Sequence, residues 1–244
     1  MTITNPETQT RIDEIADGIY RISTPLPPNP ALPAGFTFNQ FLIDDEEPLL
    51  FHTGPRKMFP LVRQAIEAVT PIAKLRYVGY SHFEADECGG LNEMLAAAPS
   101  ASPLCGMLAK MTSADDYADR ESRGMADGEV LSLGRHRVRW LDTPHLPHGW
   151  DCGYLFEETT GTLLCGDLLT QPGASHAPIT EDDILEPSEA MRAQMEYYAH
   201  GPSTGALLDK LAGTEPRVLA CMHGAAWRGD GAKLLGALRD RLTS

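Results

Sequence analysis

Two β-sheets packed face to face with helices outside, an α/β sandwich, is the fold predicted by this 244-residue chain. Three observations predict it. Strand-like runs come in antiparallel groups, each group is followed by helical runs, and the second half of the chain repeats the logic of the first. At roughly 150 residues per domain the length allows one large domain or two small ones. With no low-complexity tract, repeat or clear linker, the chain reads as a single domain over residues 1–244.

The elements follow in order. GIYRIST (18–24) is short and β-rich, and PLPPNPALPAG (25–35), with five prolines, is an extended loop. FTFNQFLI (36–43) and PLLFHT (48–53) are strands separated by the acidic turn DDEE. KMFPLVRQAIEAV (57–69) has helical apolar spacing with Pro60 in its first turn. LRYVGYS (75–81) is a strand, and DECGGLNEMLAAAP (86–99) runs from loop into helix and stops at Pro99. A short strand near Pro103–Gly106 precedes a helix near Leu108–Ala118. GEVLSL (128–133) and HRVRWLDT (136–143) form a hairpin, and GYLFEETTGTLLCGDLL (153–169) forms two strands joined at Thr160–Gly161. Residues 187–213 hold two helices broken at Gly201–Pro202, PRVLACMHG (216–224) is a buried strand ending in a loop, and 230–242 is a last helix.

Composition narrows the function. There are 34 acidic against 20 basic residues, a formal charge of −14, so nucleic acid and anionic membrane surfaces are poor partners. Hydrophobic residues at 42% and charged residues at 22% suit a packed globular chain rather than a disordered one. No run of 18 apolar residues is present, and the N-terminus has neither a basic start nor an apolar core, so a cytoplasmic protein is expected. Cys88, Cys105, Cys152, Cys165 and Cys221 are odd in number and lack close pairing, which disfavours a disulfide framework or zinc knuckle. Cys105, Cys165 and Cys221 lie in apolar strands and read as small buried hydrophobes.

The chemistry gathers at strand ends. After LRYVGYS the chain continues His82-Phe83-Glu84-Ala85-Asp86-Glu87. Alternate residues of an extended loop point the same way, so His82, Glu84 and Asp86 can converge, although Asp86 also suits a helix N-cap. His148 lies in the loop of TPHLPHGWDCGY. Asp167 ends an apolar strand, where a carboxylate is costly unless it caps, pairs or binds metal. His223 follows another buried strand and precedes Gly224.

This set resembles the metallo-β-lactamase fold, a four-layer αββα sandwich. Within it the chain is similar to the di-iron domain of flavodiiron proteins and their stand-alone relatives, the oxygen-binding di-iron proteins. Hydrolytic members of the fold usually show HxHxDH; here Glu84 stands in the second histidine's place, as in the di-iron branch's HxExD. The eighteen residues between His148 and Asp167 match that branch, as do His223-Gly224 with Trp227-Arg228 and the element Glu196-Tyr197-Tyr198-Ala199. The resemblance covers Gly18 to the last helix. It implies that His82, Glu84 and His148 hold one iron, that Asp86 and His223 hold the other, and that Asp167 bridges them. Carboxylates in place of an imidazole move a site from zinc towards iron or manganese, and zinc stays the alternative metal. Three carboxylates set three negative charges against the four positive of two Fe(II), close to neutral before an oxo or hydroxo bridge; Glu87 would complete the balance.

Glu87 departs from the pattern, because the family commonly has histidine there. It is expected to touch the metal; alternatively it swings away and leaves a position open, or is a solvated acid at a helix start. His52 stands where the fold commonly has aspartate, and reads as a satisfied structural histidine or as support for a ligand. His145 rivals His148 with a poorer spacing to Asp167. His136, His176 and His200 carry no motif and read as surface residues, His176 in a loop with some reach towards a pocket. Asp151 and Cys152 follow His148, and Asp151 either orients that imidazole or serves a turn. Tyr198 carries the catalytic role that the resemblance allows a tyrosine over the metals, with core packing as its alternative.

The implied function is binding of O2 or NO at a di-iron pair. Either the gas is reduced with electrons from a separate donor, since no flavodoxin-like phosphate loop is visible and the fold uses the whole chain, or it is sensed through contact with a signalling partner. A dinuclear zinc hydrolase of thioesters, lactones or other esters is the alternative. A homodimer is compatible with the resemblance, although a flavin domain, the family's reason for pairing head to tail, is not expected here.

Overall fold

A computed structural model describes residues 2–243. The first sheet takes eight strands in chain order: β1 (Thr2–Asn5), β2 (Thr10–Ala16), β3 (Ile19–Leu26), β4 (Phe36–Ile43), β5 (Leu49–Phe51), β6 (Tyr77–Gly79), β7 (Ser102–Gly106) and β8 (Arg123–Met125). β1 to β5 are antiparallel, and β5 to β8 run parallel. The parallel strands need crossovers. These are α1 (Phe59–Glu67), with Pro60 in its first turn, and the short α2 (Ala85–Cys88) leading into α3 (Leu91–Ala97). α4 (Met107–Ala109) and α5 (Asp115–Tyr117) follow, joined by a π-helical turn over Lys110–Ala114.

The second sheet is built from β9 (Val130–Ser132), β10 (Arg137–Asp142), β11 (Gly153–Glu157), β12 (Thr162–Leu164), β13 (Ile179–Thr180), β14 (Val218–Ala220) and β15 (Ala226–Arg228), in the order β13-β15-β14-β12-β11-β10-β9. Its outer face carries α6 (Leu185–Met195), α7 (Thr204–Ala212) and α8 (Gly231–Thr243). Among the described residues no helix is long and apolar enough to cross a membrane.

Strand periodicity assigns each side chain to a layer. In β4 and β5, Phe41, Ile43, Leu49 and Phe51 point between the sheets, whereas Leu42 and Leu50 point out under α1 and α3. In β12 and β14, Leu164, Val218 and Ala220 face inward, whereas Leu163 and Leu219 pack under α7 and α8. Three apolar layers between four structural ones make the αββα sandwich, with Trp140 wholly buried in the middle layer.

Several elements lie beyond what the sequence predicts. β1 and β2 form at an N-terminus read only as lacking a leader, although TRIDEIA alternates in burial. β8, β13 and β15 have at most three residues each, too short for periodicity to register. His136 is corrected: it is buried, not a surface residue, with Nδ1 3.1 Å from Glu157 Oε1.

Packing around Trp140 allows a test. A Cβ built on Gly153 would lie 2.4 Å from Cζ2 of Trp140, whereas one on Gly236 in α8 meets nothing within 4 Å. Gly153→Ala is expected to cost about 1–3 kcal/mol through overpacking. Gly236→Ala is expected to stabilise by about 0.5–1 kcal/mol through helix propensity. Urea midpoints at unchanged slope would show both.

Candidate metal centre

All six expected donors other than Glu87 meet on one rim of the sandwich, each in a loop or first turn beyond a strand. His82 and Glu84 follow β6, and Asp86 lies in the first turn of α2. His148 follows β10, Asp167 follows β12 and His223 follows β14. Strand ends hold these backbones, while the loops carry them clear of the ladder.

Two donor groups face each other across Asp167. On one side Glu84 Oε2 lies 2.8 Å from His82 Nε2 and 3.1 Å from His148 Nε2. Asp167 Oδ2 is 3.7 Å from His82 Nε2 and 3.4 Å from His148 Nε2. One donor atom from each of these four residues lies within 4.8 Å of the others. On the other side Asp167 Oδ1 is 3.1 Å from His223 Nε2, which lies 3.5 Å from Asp86 Oδ2. The two oxygens of one carboxylate therefore serve two groups of donors.

The rings are aimed from behind. His148 donates Nδ1–H to the Tyr197 carbonyl and His223 donates Nδ1–H to the Thr37 carbonyl, both at 2.8 Å. His82 Nδ1 lies 3.0 Å from Ser81 Oγ. A proton committed at Nδ1 leaves Nε2 free for a metal. Phe36 stacks on the His223 ring at 4.2 Å, and Asp151 accepts the Phe83 N–H at 3.1 Å, bracing the loop between His82 and Glu84.

Charge is concentrated here. Hydrogen bonds from His148 and His82 hold the Glu84 carboxyl well below its usual range despite partial burial. Burial raises the Asp86 carboxyl to about 6 against the pull of His223. Burial would also raise Asp167, but His223, His82 and His148 hold it below the ordinary value. Burial would lower His223, yet Asp167 and Asp86 bring it up to about 9. The carboxylates thus retain protons on imidazoles where a divalent cation would meet the same demand. Asp167 Oδ1 is a buried oxygen without a hydrogen-bond partner, and the donors are borderline and hard; this chemistry fits iron or manganese and tolerates zinc.

A cavity of about 170 Å³ opens on the donors, bounded by Phe36, Thr170, Met195 and Tyr197. Tyr198 is not among its lining residues. It is buried under the second sheet's helices and its hydroxyl accepts the Leu169 N–H at 3.5 Å, so the structure sets it in the core. Its neighbour Tyr197 reaches the cavity instead. The sequence held little sign of this choice; the pair follows Glu196, which ends α6 in a left-handed conformation with φ 48°. Phe36, a further wall residue missed in the sequence, is legible only as the residue after the proline-rich loop.

Glu87 is also placed apart from the other donors. It is fully buried, and its Oε2 accepts the Ser81 N–H at 2.9 Å and lies 2.9 Å from His52 Nε2. His145 is exposed outside the cluster, His176 is half-buried with Nε2 3.1 Å from the Gly173 carbonyl, and His200 pairs with Glu196 at the surface. All five cysteines are buried and free, and Cys152 Sγ packs against the Leu146 carbonyl at 3.1 Å.

Known proteins resemble this chain in sequence and in fold. The chain is 28% identical over 206 residues to the rubredoxin-oxygen oxidoreductase of Megalodesulfovibrio gigas, covering 81% of this chain and 50% of that protein. It is 24% identical over 257 residues to the coenzyme F420H(2) oxidase of Methanocaldococcus jannaschii, covering 96% of this chain and 61% of that one. The chain thus spans about half to three fifths of these two relatives. Among solved structures, a fragment of putative diflavin flavoprotein A 5 from Nostoc superposes with a TM-score of 0.80 at 19% identity, covering 96% of this chain and 94% of that one. The rubredoxin oxygen:oxidoreductase from Desulfovibrio gigas superposes with a TM-score of 0.78 at 22% identity, covering 94% and 61%. The fold is therefore that of the metallo-β-lactamase-like flavodiiron cores. Residues 36–224 match the family described as ODP family beta lactamase, and the chain belongs to that family.

Proposed function

We propose that the protein is a non-haem di-iron protein that binds O2 or NO and reduces it with electrons delivered by a separate partner. The observation that carries this reading is Asp167, whose two oxygens face two donor groups. His82, Glu84 and His148 would hold one iron, Asp86 and His223 the other, with Asp167 between them. Iron there supplies one-electron chemistry and an exchangeable position for a diatomic gas.

The chain's own residues do the rest. Backbone carbonyls orient His148 and His223, so little reorganisation is needed on metal binding. Phe36 and Met195 give the cavity wall apolar surface beside the donors. Burial pushes the Tyr197 hydroxyl up to about 12, so it stays protonated at the cavity wall near neutral pH. At about 170 Å³ the cavity is smaller than the roughly 300–1,000 Å³ of ordinary organic-ligand pockets. A diatomic gas fits within that volume. The flavodiiron relatives named above support the same class of chemistry.

Protein prepared without oxygen and without added metal is expected to contain about two irons per chain by elemental analysis, if each donor group described here holds one. Mainly zinc, together with ester or thioester hydrolysis by the loaded protein, would overturn the reading in favour of the hydrolase. Asp167→Asn, which keeps the shape but weakens the shared donor, is expected to lower the metal content below that of the wild type.

The metal-free protein should have a distinctive pH dependence. His223 is raised to about 9, so its contribution to stability is full below its unfolded value of 6.5 and lost as pH climbs through 9. Asp86, raised to about 6, favours folding while protonated, an advantage lost as pH rises from 3.8 through 6. In chelator the urea midpoint is therefore expected to be lower at pH 9 than at pH 6, with His223 accounting for on the order of 3 kcal/mol at most. A midpoint that rises over this interval would contradict the charge arrangement.

A further inference from the structure

Glu87 adjoins Asp86 in sequence but lies behind the centre. Its Oε1, buried and without a hydrogen-bond partner, is 3.6 Å from His82 Nδ1. The other ring nitrogen of His82, Nε2, is the one facing Glu84 and Asp167. Nδ1 and Nε2 occupy different edges of one five-membered ring, so a carboxylate at the first is directed away from a metal on the second. Glu87 Oε2 accepts the Ser81 N–H and lies 2.9 Å from His52 Nε2. The Glu87 carbonyl accepts the Thr53 N–H at 2.8 Å, which ties the same residue to the end of β5.

We propose that Glu87, paired with His52, is a positioning residue rather than a ligand, and that the two metal positions are consequently unequal. This rests on the metal-centre reading above. One position has His82, Glu84, His148 and an oxygen of Asp167. The other has only Asp86, His223 and the second oxygen of Asp167, and keeps more of its coordination free for the gas. Glu87 acts through His82. Its negative charge beside Nδ1 favours a proton there, and its hold on the Ser81 N–H fixes the hydroxyl-bearing residue that Nδ1 meets. His52 supplies the imidazole that a fully buried carboxylate requires.

The test is an anaerobic titration of the metal-free full chain with Co(II), followed by its visible absorption. The wild type is expected to fill in two steps, tight then weak. Asp86→Asn should weaken only the second step. Glu87→Gln, whose amide oxygen can still accept the Ser81 N–H, should weaken the first step by about 10–100-fold, shift its absorption bands and leave the second step unchanged. If Glu87→Gln instead weakens the second step as Asp86→Asn does, Glu87 is a ligand and the proposal is overturned. If it alters neither step, the residue is only structural and the proposal is equally overturned. A wild type that binds no Co(II) defeats the metal-centre reading itself, a different failure. Should Glu87→Gln not fold, His52→Gln, which leaves every donor in place, decides the matter: weakening of the first step alone is expected, and a weakened second step or no change in either overturns the proposal.

Discussion

A carboxylate buried at the end of an apolar strand cannot remain ionised without cations around it, and Asp167 is such a group. Hydrocarbon lies behind it, where Leu163, Cys165 and Leu168 pack under the outer helices. The three imidazoles aimed at it come from β6, β10 and β14, which are separate in the chain but share one rim. The rigidity of the two sheets keeps those nitrogens between 3.1 and 3.7 Å from its oxygens. The surrounding carboxylates then have to be accommodated by the same three imidazoles. A divalent cation relieves all of them together, which is why the arrangement makes chemical sense as a metal centre.

The halves of the sandwich contribute unequally to the orientation of the donors. β4, from the first sheet, crosses to the second sheet's His223 loop. Thr37 accepts both the His223 Nδ1–H and the Gly224 N–H, and Asn39 Nδ2 donates to the Cys221 and Gly224 carbonyls. His148 is held instead by Tyr197, from the chain leaving α6. The first donor group therefore depends on a helix terminus, and the second on a long, well-paired strand.

Much of the fold and the gathering of six candidate donors on one rim were legible in the sequence, for a physical reason. Strands with alternating burial, such as β10, and helices with an apolar stripe, such as α1, carry their own period. His82, Glu84, Asp86, His148, Asp167 and His223 stand out because polar donors directly after apolar strands are costly elsewhere. What was not legible depends on orientation. Tyr197 and Tyr198 are adjacent and chemically identical, and which of them reaches the cavity depends on how the chain leaves α6, where Glu196 is left-handed and the Ala199 N–H is held by the Pro147 carbonyl. His136 carries no local sign of its buried partner Glu157, which lies on the neighbouring strand. His52 and Glu87 read as two separate departures from the family pattern, an imidazole where an acid is common and an acid where an imidazole is common. Their atoms lie 2.9 Å apart, so the two unusual residues form a single buried pair.

The division of donors between the sheets has a mechanical consequence. His82, Glu84 and Asp86 belong to the first sheet's half of the chain, and His148, Asp167 and His223 to the second's. Neither half holds the full set, so an ion seated among them is a covalent-like clasp across the seam of the sandwich. Like any cross-link between distant parts of a chain, it restricts the unfolded ensemble most when the loop it closes is long. Once the ion leaves, only direct contacts cross the seam at this rim, among them the grip of Thr37 and Asn39 on the His223 loop, the Arg21 bond to the Gly224 carbonyl, the Gly153 N–H on the Ser81 carbonyl and Asp151 on the Phe83 N–H.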